Sequence, residues 1–338
     1  MSALRTLQGN RLGAVRPHAH GFTLIELMVA MLLGLVVIAG VGSVFLSNQQ
    51  VYRANKALSD VQDSSRIAFE MLARDIRNSG LTACSNSSRV GNVLNTGPSN
   101  GGTVWWADWN NAIHGYAGND AVVPAGTASS ERVSGTPSLQ LIGGDEISFS
   151  VATHDASSAQ FTLNESNADL SSGDVFIVCD FDHAAIFQSS SFSHSGKTIG
   201  HATSGGNCST GLGYPSVCTV VGNSYNFSPN ALMTRLNVSD WYIGIGADGG
   251  TSLFRLGSTG GTPSRQEMVT GVTSMSLLYR QSGLATTFVD AASVTDWAAV
   301  TAVKATLTIR GNDQRAGINA SPISRSFTAT TTLRNRVL

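Results

Sequence analysis

Cys179-Asp180-Phe181-Asp182-His183 puts a thiol, two carboxylates and an imidazole within five residues, the types from which a thiol nucleophile with its base, or a metal site, is assembled. Their spacing argues against both. On an extended strand successive side chains point to opposite faces, so Cys179 and Asp180 do not converge. Neither a Cys-x-x-Cys nor a paired histidine spacing of the zinc-binding kind occurs. A disulfide cysteine followed by a polar turn accounts for the stretch. Asp145-Glu146, and Asp290 with Asp296, read as solvated acids in turns. Trp105, Trp106 and Trp109 crowd one loop region, either as an exposed platform for a partner or glycan or as a small core under a long loop, the second being the plainer expectation. No P-loop, dinucleotide fingerprint, Gly-x-Ser-x-Gly elbow or His-Glu-x-x-His is present, so no catalytic residue, metal or cofactor is expected.

A different chemistry attaches to Glu26, the one charge in an apolar run that reaches Leu46. An acid at the centre of a membrane helix costs about 2.5–3.5 kcal/mol, so it calls for a partner and a purpose. Cutting the chain between Gly21 and Phe22 would supply one. The new α-amine on Phe22 would lie one helical turn from Glu26, where an i,i+4 pair can meet.

The elements needed to position that pair follow from the pattern. About 20 apolar residues span a bilayer, and the helical period continues past them through Val51, Ala54, Leu58, Val61, Ala68, Leu72 and Ile76. Arg66/Glu70 and Glu70/Arg74 are spaced as i,i+4 ion pairs on the wetter face. Asn78-Ser79-Gly80 is a stop signal, and no proline occurs from Phe22 to Gly80. One helix of about 85 Å is predicted, apolar all round in its first half and striped in its second. Gly34, Gly40 and Gly42 are where it can bend, at about 1 kcal/mol each relative to Ala. Ala30 and Gly34 form a small-x-x-x-small pair that permits close helix contact. A signal peptide has no use for the acid or for the extended stripe.

Beyond Gly80 the pattern turns to strands, best at Glu146–Thr153, Asp174–Cys179, Ala185–Gln188, Trp241–Ile245, Ser252–Leu256, Val272–Arg280, Val303–Arg310 and Ser326–Leu333. Asp248-Gly249-Gly250 reads as a hairpin turn. Asn86 to Gly102, Ala125 to Pro137 and Ser189 to Tyr214 read as polar loops. The fold class is α+β, a long N-terminal helix packed on an antiparallel sheet. Charged residues make up only 13 %, and the net charge of −1 with no basic face gives no ground for a nucleic-acid partner. Arg5, Arg11 and Arg16 precede Gly21 without any acid, which by the positive-inside rule keeps that end cytoplasmic and sends the rest across. Export makes disulfides of Cys84, Cys179, Cys208 and Cys218. Three connectivities are open to four cysteines; the short Gly/Pro loop between Cys208 and Cys218 favours that pair, leaving Cys84 with Cys179.

Gly21-Phe22-Thr23-Leu24-Ile25-Glu26-Leu27 resembles the prepilin cleavage site of type IV pilins and type II secretion pseudopilins. Gly173-Asp174-Val175-Phe176-Ile177-Val178-Cys179-Asp180, His183-Ala184-Ala185-Ile186-Phe187-Gln188, Trp241-Tyr242-Ile243-Gly244, Glu267-Met268-Val269-Thr270-Gly271-Val272 and Thr332-Leu333-Arg334-Asn335-Arg336 resemble, in order, the PilW family of minor type IV pilins. Arg74-Asp75-Ile76-Arg77 before Gly80 and Cys84 is similar to the end of that family's first helix. The resemblance implies a pilin-like fold with a leader (1–21), a membrane-spanning and pilus-core half-helix (22–46), an amphipathic half-helix (47–80) and a β-rich periplasmic head (81–338). It further implies processing by prepilin peptidase at Gly21/Phe22 with N-methylation of Phe22, and an assembly role for Glu26. The implied partners are the inner membrane, other minor pilins, the major pilin and a tip adhesin, first as an inner-membrane precursor and then in a pilus that supports twitching motility and adhesion. A minor pseudopilin of type II secretion is the alternative within this class, and an anchored periplasmic carbohydrate-binding adhesin the alternative outside it.

Overall fold

The computed structural model describes residues 21–84, 89–118, 123–165, 169–259, 263–283, 287–334 and 336. Residues 1–20, with Arg5, Arg11 and Arg16, and Asn335 of the closing segment lie outside the described residues. Two compact units are present, Met1–Arg53 and Ala54–Leu338.

Helix α1 runs from Leu24 to Asn78, 55 residues. It starts two residues later than the apolar pattern and stops at the signal expected. Gly80 takes a left-handed φ of 73°, and its N–H donates to the Ile142 carbonyl at 2.7 Å, so the exit from the helix is tied to a strand. In the first unit every residue from Leu24 to Arg53 is exposed except half-exposed Gly42. That segment contains a stretch long and apolar enough to cross a bilayer.

The second unit holds the helix from Ala54 onward. Its buried stripe is Ala57, Val61, Ser65, Ala68, Leu72 and Ile76. Val51, expected on this stripe, is exposed and belongs to the first unit. Arg74 pairs not with Glu70 but with Glu146, whose Oε1 accepts from Nε at 2.6 Å. A carboxylate brought close by the fold outcompetes one four residues away along the helix.

The strands among the described residues are β1 (Val90–Asn92), β2 (Ile113–Tyr116), β3 (Ser138–Asp155), β4 (Gln160–Leu163), β5 (Val175–Cys179), β6 (Ala184–Gln188) and β7 (Ser191–Ser193). They continue with β8 (Thr198–Gly200), β9 (Leu232–Ile245), β10 (Thr251–Thr259), β11 (Ser264–Thr270), β12 (Val272–Gln281), β13 (Val300–Arg310) and β14 (Ser324–Thr332). Each of the eight predicted strands is there. Six others are not anticipated by the pattern, and β7 and β8 cut into the segment expected to be loop, Ser189 to Tyr214.

Strand β9 is the hub of the larger sheet. Along one edge it pairs antiparallel with β3; along the other, its first residues pair with β5 and its remainder with β10. The β9–β10 connection is the expected turn, with Gly249 at φ 79°. The long β3 continues into a β4–β8–β7 extension, and a second sheet has the order β12-β13-β14. The helical stripe packs Leu72 and Ile76 into one core with Leu139, Leu141, Trp241 and Ile243 of the large sheet and Tyr279, Val303 and Leu307 of the small one. Burying each such side chain contributes about 1.5–3 kcal/mol. The approach is close enough that a Cβ at Gly143 would run into the Asn78 carbonyl. All five residues of β5 are buried, Phe176 and Val178 in one core and Val175, Ile177 and Cys179 in another.

Candidate functional site

The start of α1 is closed by its own sequence. Thr23 is the residue before the first helical position, and its Oγ accepts the backbone N–H of Glu26 at 3.2 Å. Glu26 returns the contact: its Oε2 takes the backbone N–H and the hydroxyl of Thr23, each at 3.2 Å. The first intrahelical bond, Leu27 N–H to the Thr23 carbonyl at 3.1 Å, follows directly. This is a capping box, in which two otherwise orphaned N–H groups are satisfied reciprocally. The carboxylate also sits at the positive end of the helix dipole. Thr23 was not singled out in the sequence, although Thr-x-x-Glu ahead of an apolar run is the signal for this cap.

Phe22 lies just outside the cap and is 83 % exposed. Its nitrogen is here a peptide nitrogen joined to Gly21, so no amine is present, and the carboxylate of Glu26 is held by Thr23 instead. Around this pair Leu24, Ile25, Leu27 and Met28 are all exposed. A helix end that is apolar on every side buries that surface only in lipid or among other apolar helices.

Both disulfides are present. Cys84 pairs with Cys179 at a Cα–Cα distance of 5.8 Å, and Cys208 with Cys218 at 5.0 Å. The first ties the chain just past α1 to the end of β5. Cys179 is therefore no thiol nucleophile. In the turn that follows, Asp180 accepts the N–H groups of Asp182 and His183 on Oδ1, at 3.0 and 3.3 Å, and the Tyr225 hydroxyl on Oδ2 at 2.8 Å. The Asp180–His183 segment is a closed β5–β6 turn.

Glu146, Asp290 and Asp296 are exposed as expected and each also makes a specific contact, whereas Asp145 and Glu146 lie within β3 rather than in a turn. Glu146 pairs with Arg74, and Asp145 lies 3.8 Å from Arg235. Asp290 and Asp296 cap short 3₁₀ turns. Trp105, Trp106 and Trp109 are half-buried against the core of Ile177, Ile186 and Val238, which is the small-core arrangement. Three titratable groups lie deep in the head. Burial pushes Asp240 up to about 7, against the opposing pull of the Ser138 hydrogen bond and Arg132. Burial also lowers His154 to about 4 and His201 to about 3, the latter helped by its neighbour, with the two Nε2 atoms 3.0 Å apart. Among the described residues no group of three or more His, Cys, Asp or Glu is arranged to hold a metal ion.

Residues 16–42 match the family model of the prokaryotic N-terminal methylation motif, which covers Gly21, Phe22, the Thr23–Glu26 cap and the exposed apolar helix. Residues 240–335 match the model of type IV pilus-assembly protein W, and take in the end of β9, β10, β11 and the whole β12–β14 sheet. No curated protein and no solved structure matches the chain. The second match covers less than a third of the sequence, yet it falls on strands that pack against the stripe of α1. One polypeptide thus carries the N-terminal methylation motif at the head of its helix and the pattern of a type IV pilus-assembly protein in the sheets that receive that helix's second half.

Proposed function

We propose that the chain is a minor type IV pilin, made as an inner-membrane precursor with its head in the periplasm. Hydrolysis of the Gly21–Phe22 bond by prepilin peptidase leaves a carboxylate on Gly21 and an amine on Phe22, whose nitrogen then takes a methyl group from a sulfonium donor, releasing the thioether and a proton. The observation that carries this is the single capped carboxylate, Glu26, at the start of a helix whose apolar surface is exposed from Leu24 to Leu46. The methylation-motif match over the same residues supports it.

Once the amine exists, Glu26 is the acceptor for it, from its own chain or from the subunit beside it. An unpaired charge among apolar helices is costly, so the pair acts as a register key when subunits bundle. The two disulfides suit a head that lives in an oxidising compartment. A head of this size crowds its neighbours along a shaft and has free space at the tip. There it joins other minor pilins and an adhesin in priming assembly, and so supports twitching motility and adhesion. A minor pseudopilin shares the cleavage motif and the helix; the match over residues 240–335 favours the pilus.

Mass spectrometry of the processed protein tests the pathway. An N-terminus at Phe22 carrying one added methyl group is expected, and a cut near Gly40 instead would restore an ordinary signal peptide.

A further inference from the structure

Arg89, the β5–β6 turn and residues Gly213, Tyr214 and Asn223 to Tyr225 line an open cavity of about 560 Å³ that the assembly role does not use. This lies within the roughly 300–1,000 Å³ of small-ligand sites. Its walls are polar: Arg89, Asp182, Asn223, Ser224 and the Tyr225 ring line it, with the buried His183 beneath. The ring of Tyr214, part of this lining, is 51 % exposed.

The cavity is built rather than fortuitous. Cys208–Cys218 closes the covering loop, and the Thr210 N–H and hydroxyl both reach the Val220 carbonyl, at 3.0 and 2.9 Å. Asn223 donates to the Pro215 carbonyl at 2.6 Å, and Ser216 Oγ accepts the Asn92 N–H of β1 at 2.8 Å. On the opposite wall the Asp180 contacts fix the turn, and His183 packs edge-on to Tyr225 at 3.6 Å between ring centroids. Walls fixed in this way lose little freedom when a ligand enters.

The chemistry of the lining selects the ligand class. Arg89 and Asp182 form an ion pair at 3.2 Å, and the other carboxylate oxygen of Asp182 lies 3.3 Å from His183 Nδ1, so the cavity sets a donor and an acceptor side by side. A charged ligand would have to compete with that pair. A neutral polyol does not: its hydroxyls donate to the carboxylate and accept from guanidinium, amide and hydroxyl groups. The face of C–H groups on a pyranose ring stacks on an exposed aromatic side chain, whose body is apolar and whose rim tolerates water. We propose that this cavity binds a neutral pyranose, with Asp182 and Arg89 as the hydroxyl-binding pair and Tyr214 as the stacking ring. The binding itself does not depend on the pilin assignment, which is tested by processing at Phe22.

Saturation-transfer NMR on the full chain, kept in a detergent without a sugar headgroup, reads the interaction directly. The probes are methyl pyranosides of galactose, glucose, mannose and N-acetylglucosamine, with sialic acid as the anionic control. Binding of at least one neutral sugar in the millimolar range is expected, weakened about tenfold or more by Asp182→Asn and by Tyr214→Ala. Ser224→Trp, which fills the mouth from an exposed position, should abolish it while the circular dichroism spectrum and melting temperature stay as in the parent. Absence of transfer to every neutral pyranoside, preference for the anionic control, or binding unchanged in all three variants overturns the proposal. Loss of co-purifying pilus proteins from the Ser224→Trp chain, without sugar binding by either form, would make the cavity a protein contact and also overturn it.

Discussion

Asp75, near the end of α1, accepts the Nε–H of Arg255 on β10 at 2.8 Å, across 180 residues of sequence. The same Oδ2 also accepts the indole N–H of Trp241 on β9 at 2.9 Å. Both members of the ion pair are mostly shielded, with side chains 16 % and 17 % exposed. One carboxylate oxygen therefore fastens the helix to two neighbouring strands at once, next to the core that Leu72 and Ile76 enter. A charged hydrogen bond in such a place is worth more than a surface pair, and its removal strands a guanidinium.

Asp75→Ala should therefore destabilise the head by about 2–4 kcal/mol. Urea unfolding followed by tryptophan fluorescence checks this, since Trp241 is itself a reporter. An Asp75→Asn chain, which keeps an acceptor but loses the charge, should fall between the two. Equal midpoints for all three would show that packing alone holds the helix.

What could be read beforehand, and what could not, follows from the range of the interactions. Helix α1 was legible because Val61, Ala68, Leu72 and Ile76 repeat at helical spacing, and Gly80 marks its end by a conformation that glycine adopts readily. Strands such as β12 and β13 were legible through alternation. The short β7 and β8, Ser-Phe-Ser and Thr-Ile-Gly, carry too few apolar residues to show a period; β8 exists as a strand because β4 offers an edge, and β7 because β8 in turn offers one. Arg74 has a Glu four residues before it, yet its partner is Glu146, which no local rule could select. At the candidate site Gly21, Phe22 and Glu26 stand out by type, whereas Thr23 does not. Its role needs only the Thr-x-x-Glu spacing.

The two disulfides should contribute unequally. On the chain-entropy model a loop of 95 residues between Cys84 and Cys179 stabilises by about 4–5 kcal/mol, and the 10-residue separation of Cys208 and Cys218 by about 2–3 kcal/mol. Urea midpoints of the paired alanine variants should fall in that order. The reverse order would place the stabilisation in local contacts of the smaller loop.

Acid should loosen the head through His154 and His201. The Phe227 N–H donates to His154 Nδ1 at 3.1 Å, so the proton of that ring sits on Nε2 and points at His201 Nε2. Both rings are neutral in the folded state, at about 4 and about 3, against about 6.5 in the unfolded chain. Their contribution is complete above pH 6.5 and is lost as pH falls, because the unfolded chain takes up protons first. The slope is about 1.4 kcal/mol per pH unit for each histidine between pH 6 and the folded values. Asp240, raised to about 7, works in the opposite sense, gaining stability as pH falls from 7 towards 4. The histidine share is thus read as a difference. His201→Phe should reduce the acid slope by about one proton relative to the parent, and an unchanged slope would refute the neutral-pair assignment.

Glu26 has two tasks on the proposed assembly role, and two substitutions separate them. As a cap it needs only an acceptor for the Thr23 N–H, which a glutamine supplies. As the counterpart of the Phe22 amine it needs a charge. Glu26→Gln keeps the cap and loses the charge; Thr23→Val keeps the charge and loses the hydroxyl through which the cap closes, at about 1 kcal/mol. Both chains should insert in the membrane, since the apolar stretch behind them is untouched. If the charge pair sets the register, Glu26→Gln should fail to enter sheared pili while Thr23→Val enters at close to the parental level, as quantified by immunoblot of shear fractions against membrane fractions. Should the threonine variant be the defective one, the carboxylate matters for starting the helix rather than for meeting an amine, and the register role of Glu26 falls.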